Sequence, residues 1–237
     1  TKMEQGLATV LFATGMAAIG STLLALLRRG DHIVSSTYLF GNTNSLFNTF
    51  KELGVEVTFV DATDSKNVAA AIQQNTRLVF VETVANPVTQ VADLVDIGAL
   101  CAERKLIYFV DNTMTSPWLF SPVTVQASLV INSLTKYIGG HGNALGGSVT
   151  DTGLFDWSAF GNIYDNYKKG DPANWGMNQI RAKGLRDFGA SLGPEAAHHL
   201  SAGSDTLGLR MDKSCHNAMA IAEFCDAHPK VRKVSYP

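Results

Sequence analysis

Apolar positions in the first 131 residues alternate between short continuous runs and longer stretches with helical spacing. Strands are predicted at residues 32–36, 55–60, 78–81, 106–110 and 129–131, and the last three of these are apolar throughout. Helical spacing occurs at residues 16–29, 44–53, 64–72 and 93–104. Strands that are apolar throughout are typical of parallel sheets, which are buried on both faces. The alternation therefore predicts an α/β fold, with a mostly parallel sheet and helices on both faces.

The pattern loosens at residues 151–193, where aromatic residues are interspersed with Gly, Asp, Asn and Pro. Such a composition predicts an irregular connection with short helices. Residues 195–228 predict one long helix, with kinks at Gly203 and Gly208. A helix of that length would lead to a second domain that begins near Val231.

Composition narrows the class of protein. The chain has 237 residues, 46% of them hydrophobic, and a formal net charge of −2 without a long run of one sign. Nucleic acid and membrane surfaces are therefore not expected as partners. The longest apolar stretch, residues 16–27, is too short to span a bilayer. The start of the chain lacks a signal-peptide pattern, and three cysteines in helical contexts indicate free thiols, so a cytoplasmic location is expected.

Chemically active side chains follow three of the predicted strands. Asp111 comes directly after one strand, Asn86 lies a few residues after another, and Lys136 follows a third. Ligands of open α/β sheets bind outside the carboxyl ends of the strands. These three side chains should therefore meet at one edge of the sheet.

This set of residue types suits pyridoxal 5′-phosphate (PLP). A lysine amine carries PLP as a Schiff base, and a carboxylate keeps the ring nitrogen protonated, so that the ring accepts electrons from a carbanion. Hydroxyl groups and the free N–H groups of a helix start bind phosphate. Ser133 and Thr135 bring hydroxyls next to Lys136, and the glycine-rich turn at 139–142 leaves room for it. Lys136 is thus the candidate Schiff-base lysine and Asp111 the candidate ring partner.

Other interpretations of these segments fit less well. The glycine-rich residues 139–147 match neither the phosphate loop of nucleoside triphosphatases nor the dinucleotide fingerprint, which weighs against a dinucleotide-binding oxidoreductase. Cys and His at 215–216 and 225–228 are zinc-binding residue types, but they are spaced along one helix rather than in a knuckle, and no metal is expected. Asp111 could cap a turn, and His141 either lines the site or makes a structural hydrogen bond.

At these residues the sequence resembles the Cys/Met-metabolism PLP enzymes, which include cystathionine γ-synthase, cystathionine lyases, methionine γ-lyase and the O-acylhomoserine sulfhydrylases. The resemblance implies a PLP-dependent transferase of fold type I. It covers nearly the whole chain, and its motifs are specific together rather than singly. They follow the family's order at residues 14–19 (TGMAAI), 30–34 (GDHIV), 39–43 (LFGNT), 81–87 (VETVANP), 110–113 (VDNT) and 133–142 (SLTKYIGGHG).

The resemblance implies two groups of cofactor-binding residues. The phosphate would be held by the backbone N–H groups of Gly15 and Met16 and by the hydroxyls of Ser133 and Thr135. Lys136 would both carry the cofactor and move a proton between substrate carbons.

The second group would surround the ring. Asp111 would bond the ring nitrogen, and Phe40 would stack on the ring where the family has a tyrosine. Asn86 would lie near the phenolic oxygen of the cofactor, and Thr113 would lie close to the ring.

Two departures from the family pattern bear on the reaction. Phe40 lacks the phenol hydroxyl that the family credits with proton transfer to the γ-leaving group. Asn42 stands where methionine γ-lyases typically carry a cysteine. Both slightly favour γ-replacement on an O-acylated homoserine with a sulfur nucleophile over elimination from cystathionine, cysteine or methionine. The intact set of Lys136, Asp111, Ser133 and Thr135 argues against an inactive remnant.

The resemblance also implies residues from outside this chain. The family takes a Tyr-x-Arg phosphate clamp from the N-terminal arm of a neighbouring subunit, and a carboxylate-binding arginine from a C-terminal domain. The sequence contains no Tyr-x-Arg. We therefore expect residues 1–228 to be the PLP-binding large domain without its N-terminal arm, and residues 229–237 to begin a truncated C-terminal domain. The expected assembly is a homotetramer of dimers with shared active sites, acting on a small amino-acid substrate.

Overall fold

Seven strands form one sheet in the computed structural model, which describes residues 1–236. The strands are β1 Ala8–Phe12, β2 His32–Ser36, β3 Glu56–Val60, β4 Thr76–Glu82, β5 Ile107–Asp111, β6 Leu129–Ser133 and β7 Gly147–Asp151. Their order across the sheet is β1-β7-β6-β5-β4-β2-β3. The five strands β2 to β6 are parallel to one another, whereas β7 runs antiparallel to both β6 and β1. The predicted α/β fold with a mostly parallel sheet is confirmed.

Successive strand residues supply two separate cores, one on each face of the sheet. In β4, Leu78 and Phe80 belong to one buried cluster, and Val79 and Val81 belong to the other. The same alternation is found in β5. Because side chains of a strand point to opposite faces in turn, a strand covered on both faces favours apolar residues at successive positions. This explains the continuous apolar runs of the sequence.

The α-helices of residues 1–236 are α1 Gly15–Leu26, α2 Gly41–Glu52, α3 Ser65–Ala71, α4 Leu94–Arg104, α5 Ser116–Leu119, α6 Trp175–Gln179, α7 Pro194–Ser204 and α8 Leu207–Asp226. Helices α1 and α2 cover one face of the sheet, and α3 and α4 cover the other. Across the described chain, none of these helices has the length and apolar content needed to cross a membrane.

Helix α1 is buried on nearly all sides, which accounts for its apolar composition. It lies between the sheet and a π-helical turn, Ile180–Arg186, and a Cβ at Gly184 would come within 2.7 Å of the Ser21 carbonyl oxygen. The helix was expected to extend to Arg29, but it ends at Leu26. Side chains satisfy its last carbonyls: the Arg28 guanidinium donates to Ala25 O at 3.2 Å, and Asn162 Nδ2 donates to Leu26 O at 2.9 Å. Asn162 lies 136 residues after Leu26, so this partner could not be identified from the sequence.

The long helix predicted at residues 195–228 is wrong, because α7 and α8 are separate helices. Residues 205–206 divide them, and the chain tightens there, with Thr206 N–H donating to the Gly203 carbonyl three residues earlier. Gly203 allows α7 to pack directly against the main chain of Gly139. Any Cβ at position 203 would collide with the Gly139 carbonyl oxygen. This contact holds α7 against the segment that follows β6.

The irregular segment predicted at residues 151–193 is confirmed. It contains the short 3₁₀ helices Trp157–Ala159, Asp165–Tyr167 and Pro172–Asn174, followed by α6.

Strands β1 and β7 were missed, since threonine, serine and glycine weaken their apolar pattern. Gly147 in β7 is needed because a Cβ there would collide with the carbonyl of Thr14 at the start of α1.

The boundary near residue 228 stays a prediction. Residues 229–236 have no helix or strand, and Pro237, the last residue of the predicted second domain, lies outside the described residues.

Candidate active site

One cavity of about 700 Å³ lies at the carboxyl ends of β4, β5 and β6. It is lined by eight of the nine residues that the sequence analysis selected: Gly15, Met16, Phe40, Asn86, Asp111, Thr113, Ser133 and Lys136. These residues come from five separate segments of the chain, and the parallel strands bring them to one edge of the sheet. Such an edge is where α/β proteins bind ligands.

The start of α1 forms one wall of the cavity. The Thr14 hydroxyl accepts the Ala17 N–H at 2.9 Å, and the Thr14 carbonyl accepts the Ala18 N–H at 3.0 Å. The earlier N–H groups, those of Gly15 and Met16, precede the helical hydrogen-bond ladder and point away from it. A Cβ at Gly15 would lie 2.8 Å from the Ser133 Cβ, so only glycine lets Ser133 approach. A helix start and a serine hydroxyl thus meet in a place suited to an anion.

Asp111, Thr113 and Ser133 form a connected group at the ends of β5 and β6. Asp111 Oδ1 accepts the Thr113 N–H at 2.9 Å, and Thr113 Oγ1 accepts the Ser133 N–H at 2.8 Å. Burial raises the pKa of the Asp111 carboxyl, although the bonds from Thr113 oppose this effect. Thr113 therefore links the predicted ring partner to the predicted phosphate-binding serine.

Lys136 lies on a turn directly after β6 and is exposed to the cavity. Its N–H donates to the Ser133 carbonyl at 3.1 Å, and its own carbonyl accepts the Gly140 N–H at 2.7 Å. Gly140 has a φ of +73°, which glycine adopts readily and other residues rarely do. The glycine-rich sequence after Lys136 is thus required by the turn that presents the lysine.

Thr135 is the one selected residue that is not among those lining the cavity. Its hydroxyl exchanges hydrogen bonds with Gly146, donating to the carbonyl at 3.2 Å and accepting the N–H at 3.1 Å. Its predicted role as a phosphate ligand stays a prediction. His141 Nδ1 lies 2.7 Å from the Gly139 carbonyl, which favours the structural one of its two predicted roles.

The cysteines and histidines considered for zinc lie on or just beyond α8. Within residues 1–236, no three His, Cys, Asp or Glu side chains come together as a metal site would require.

Glu82 is a cavity residue that the sequence analysis treated only as part of a motif. It is 6% exposed at the end of β4 and faces Asp111 across the parallel pair. Its Oε1 accepts the Phe40 N–H at 2.6 Å, and its Oε2 accepts the Asn86 N–H at 3.3 Å. Burial, and then the charge of Asp111, raise the pKa of Glu82 to about 7.

Helix α8 supplies the wall that sequence reasoning missed entirely. Its contributing residues are Arg210, Lys213, Ser214 and Asn217. Their spacing of three, four and seven residues is that of one helix face. This polar stripe was visible in the sequence, but nothing in the sequence indicated which way the helix faced.

Arg210 also holds the backbone that follows Lys136. Its guanidinium donates to the carbonyls of Tyr137 at 2.6 Å, Ile138 at 3.3 Å and Gly203 at 2.9 Å. We expect Arg210→Met to lower the free energy of unfolding by roughly 2 kcal/mol, because it leaves several carbonyls without a charged donor. Urea denaturation followed by circular dichroism measures the change.

Arg104→Met is the matched control for this variant. Arg104 is exposed on α4 and pairs only with the neighbouring Glu103, so its replacement should change stability by less than about 0.5 kcal/mol. Equal unfolding midpoints for the two variants would show that Arg210 does not support the turn after Lys136.

The lining of the cavity fits PLP. The start of α1 and Ser133 provide a phosphate site, and Ile19, Val84 and Ile131 add apolar surface. Asp111 is a carboxylate whose charge is opposed by burial, and no lysine or arginine of the described chain forms an ion pair with it. A protonated ring nitrogen is the kind of partner that such a carboxylate needs.

Known proteins of similar sequence are longer than this chain. It is 35% identical to an O-acetyl-L-homoserine sulfhydrylase of Leptospira meyeri over 256 residues, covering 99% of this chain and 58% of the relative. It is 37% identical to an L-methionine gamma-lyase of Fusobacterium nucleatum subsp. polymorphum over 239 residues, covering 99% and 55%. The chain thus spans a little over half the length of these curated relatives.

Solved structures share the fold. An O-acetylhomoserine sulfhydrylase of Wolinella succinogenes superposes with a TM-score of 0.88 at 34% identity, covering 99% of this chain and 67% of that one. A Campylobacter jejuni protein assigned as an O-acetylhomoserine (thiol)-lyase, also at 0.88, is 32% identical, with 100% and 62% covered, and contains a pyridoxyl-lysine monophosphate.

The model of one protein family matches residues 1–237 in full. Together with the sequence relatives and the fold, this match shows that the chain belongs to the Cys/Met metabolism PLP-dependent enzymes.

Proposed function

We propose that the enzyme containing this chain catalyses PLP-dependent γ-replacement, in which a sulfur nucleophile displaces the acyl group of an O-acylated homoserine. The observation that carries the proposal is Phe40, which lies on the wall of the cavity with 38% of its surface exposed and has no hydroxyl to donate. The alternative is a C–S lyase acting on methionine, cystathionine or cysteine.

Five of the selected cavity residues have a part in this chemistry. Bound PLP supplies a ring that withdraws electrons from the substrate carbon attached to it. Lys136 holds the cofactor covalently and then carries protons between substrate carbons. Asp111 keeps a proton on the ring nitrogen. Gly15, Met16 and Ser133 hold the phosphate, as the helix start favours.

The leaving group decides between the two reactions. An acyloxy group departs as a stable carboxylate and needs little protonation. A thiolate that leaves from a thioether is more basic and needs an acid nearby. Phe40 presents a flat aromatic face that stacks as well as tyrosine does, but it is not an acid. The cavity wall is therefore better suited to O-acyl substrates than to thioethers.

The names of similar proteins support both reactions. Relatives from Leptospira meyeri and Corynebacterium glutamicum, each 35% identical, are O-acetyl-L-homoserine sulfhydrylases. The Fusobacterium nucleatum relative at 37% identity is an L-methionine gamma-lyase, which keeps the lyase reaction as the second candidate. Asn42, where such lyases typically have cysteine, weighs against that candidate.

We expect Phe40→Tyr to raise elimination from methionine and cystathionine more than replacement on O-acetylhomoserine or O-succinylhomoserine. The added phenol supplies an acid for a thiolate, whereas a carboxylate gains little from it. A roughly tenfold change in the ratio of the two rates is expected, less than the roughly 10²-fold that a fully positioned acid catalyst contributes. Products of both reactions should be quantified for the holoenzyme with each substrate.

Phe188→Tyr is the control, since Phe188 is 59% exposed and does not line the cavity. It should leave both rates unchanged. If the unmodified enzyme cleaves methionine or cystathionine faster than it uses O-acylhomoserines, the lyase is the correct function.

Finer features of the whole enzyme are also proposed, from the sequence and its resemblance to the family. They are a PLP-binding large domain at residues 1–228, a further domain starting at 229, a cytoplasmic location and a homotetramer with shared active sites. The greater length of the curated relatives supports a further domain, because this chain covers only 58% of the Leptospira meyeri protein.

A further inference from the structure

We propose that Glu82 is a positioning residue, which fastens the loop of Phe40 and the loop of Asn86 to the strand beside Asp111. The inference rests on the proposed PLP site, because Phe40 and Asn86 matter here as neighbours of the cofactor ring. Glu82 would act indirectly, by holding two residues that lie beside the cofactor.

The two oxygens of Glu82 each hold a different loop. Oε1 accepts the Phe40 N–H at 2.6 Å, and Oε2 accepts the Asn86 N–H at 3.3 Å. Phe40 lies 42 residues before Glu82 in the sequence, whereas Asn86 is four residues after it. One buried side chain therefore sets the position of the β2–α2 loop relative to the β4–α4 loop.

The carboxylate also completes the start of α2. Phe40 is the N-cap residue of this helix, and its own side chain makes no capping hydrogen bond. In a capping box, a glutamate within the helix accepts the N–H of the N-cap residue. Glu82 does so from a neighbouring strand, and its negative charge lies where the helix dipole favours it. This hydrogen bond fixes the backbone of Phe40. It therefore also fixes the position of the Cα atom from which the aromatic side chain extends.

Only a carboxylate can hold both loops. An amide has one acceptor oxygen, so a glutamine would turn its NH₂ group toward one of the two N–H donors. Holding a carboxylate here is unfavourable in itself, since burial and Asp111 raise the pKa of Glu82 to about 7. A position that needed only to fill space would be served better by a neutral residue.

The test compares Glu82→Gln, Glu82→Asp and the exposed control Glu103→Gln in the cofactor-loaded enzyme. The dissociation constant of PLP and the visible circular dichroism per bound cofactor are measured, since the second quantity reports how firmly the ring is oriented. We expect Glu82→Gln to weaken PLP binding roughly tenfold, as expected for one lost charge-assisted hydrogen bond, and to reduce the dichroism. Glu82→Asp keeps the charge but is one methylene shorter, so an intermediate result is expected.

Borohydride reduction of the unmodified enzyme distinguishes a failure of the proposed function from a failure of the proposed role of Glu82. Absence of a cofactor link to Lys136 would overturn the proposed function itself. Presence of the link, with native affinity and dichroism in Glu82→Gln, would overturn only the role of Glu82. Failure of both Glu82 variants to fold, judged by far-ultraviolet dichroism, would assign Glu82 a structural role and also overturn the proposal.

Discussion

Lys136→Ala is expected to remove the covalent link between enzyme and cofactor and to lower turnover by at least about 10³-fold. The amine is assigned two functions, since it would bind the cofactor and transfer protons. Lys136 is exposed on its turn, so its loss should leave the fold unchanged. Borohydride reduction followed by peptide mass spectrometry detects the link, and product formation measures turnover.

Lys66→Ala serves as the control because Lys66 is exposed on α3, away from the cavity. It should retain the link and the native rate. A Lys136→Ala enzyme with native turnover would mean that the cavity residues have been given the wrong roles.

Asp111→Asn is expected to lower kcat by about 10²-fold or more while leaving the fold intact. The neutral amide cannot hold the proton on the ring nitrogen, so the ring accepts electrons poorly. The variant should lower kcat and leave KM largely unchanged, because the ring takes up negative charge mainly when the carbanion forms. Steady-state kinetics of the holoenzyme measure both quantities.

The same variant makes a separate prediction for stability. Burial raises the pKa of Asp111, so its ionised form is disfavoured in the cofactor-free fold. The asparagine oxygen can still accept the Thr113 N–H, and the buried charge is gone. Cofactor-free Asp111→Asn should therefore melt no lower than the unmodified protein, with exposed Asp96→Asn as the control. A lower melting temperature together with native kcat would identify Asp111 as a structural cap.

Much of the fold could be predicted because the apolar pattern of each central strand matches its burial in the folded chain. The apolar runs that became β4, β5 and β6 are buried on both faces, and continuous apolar composition is typical of strands in that position. Polar residues directly after such strands must lie at the carboxyl edge of the sheet. For this reason Asp111 and Lys136 could be placed together from the sequence alone.

Errors arose where distant side chains determine local structure. Arg28 and Asn162 end α1 early, and the contact of Gly203 with Gly139 separates α7 from α8. Strand β7 has glycine at position 147 because it approaches the carbonyl of Thr14 at the start of α1. Asn162 and Gly139 in particular lie far in the sequence from the helices that they contact.

By itself, the sequence determined the α/β class, the cofactor chemistry and most of the selected residues that line the cavity. Periodicity and residue type are local properties, and the carboxyl edge of a parallel sheet collects whatever follows its strands. Tertiary structure alone decided that Thr135 bonds Gly146, that α8 closes the cavity with Arg210, and that Glu82 holds two loops. Such roles depend on the direction in which a side chain points, and that direction is set by packing between segments far apart in the chain.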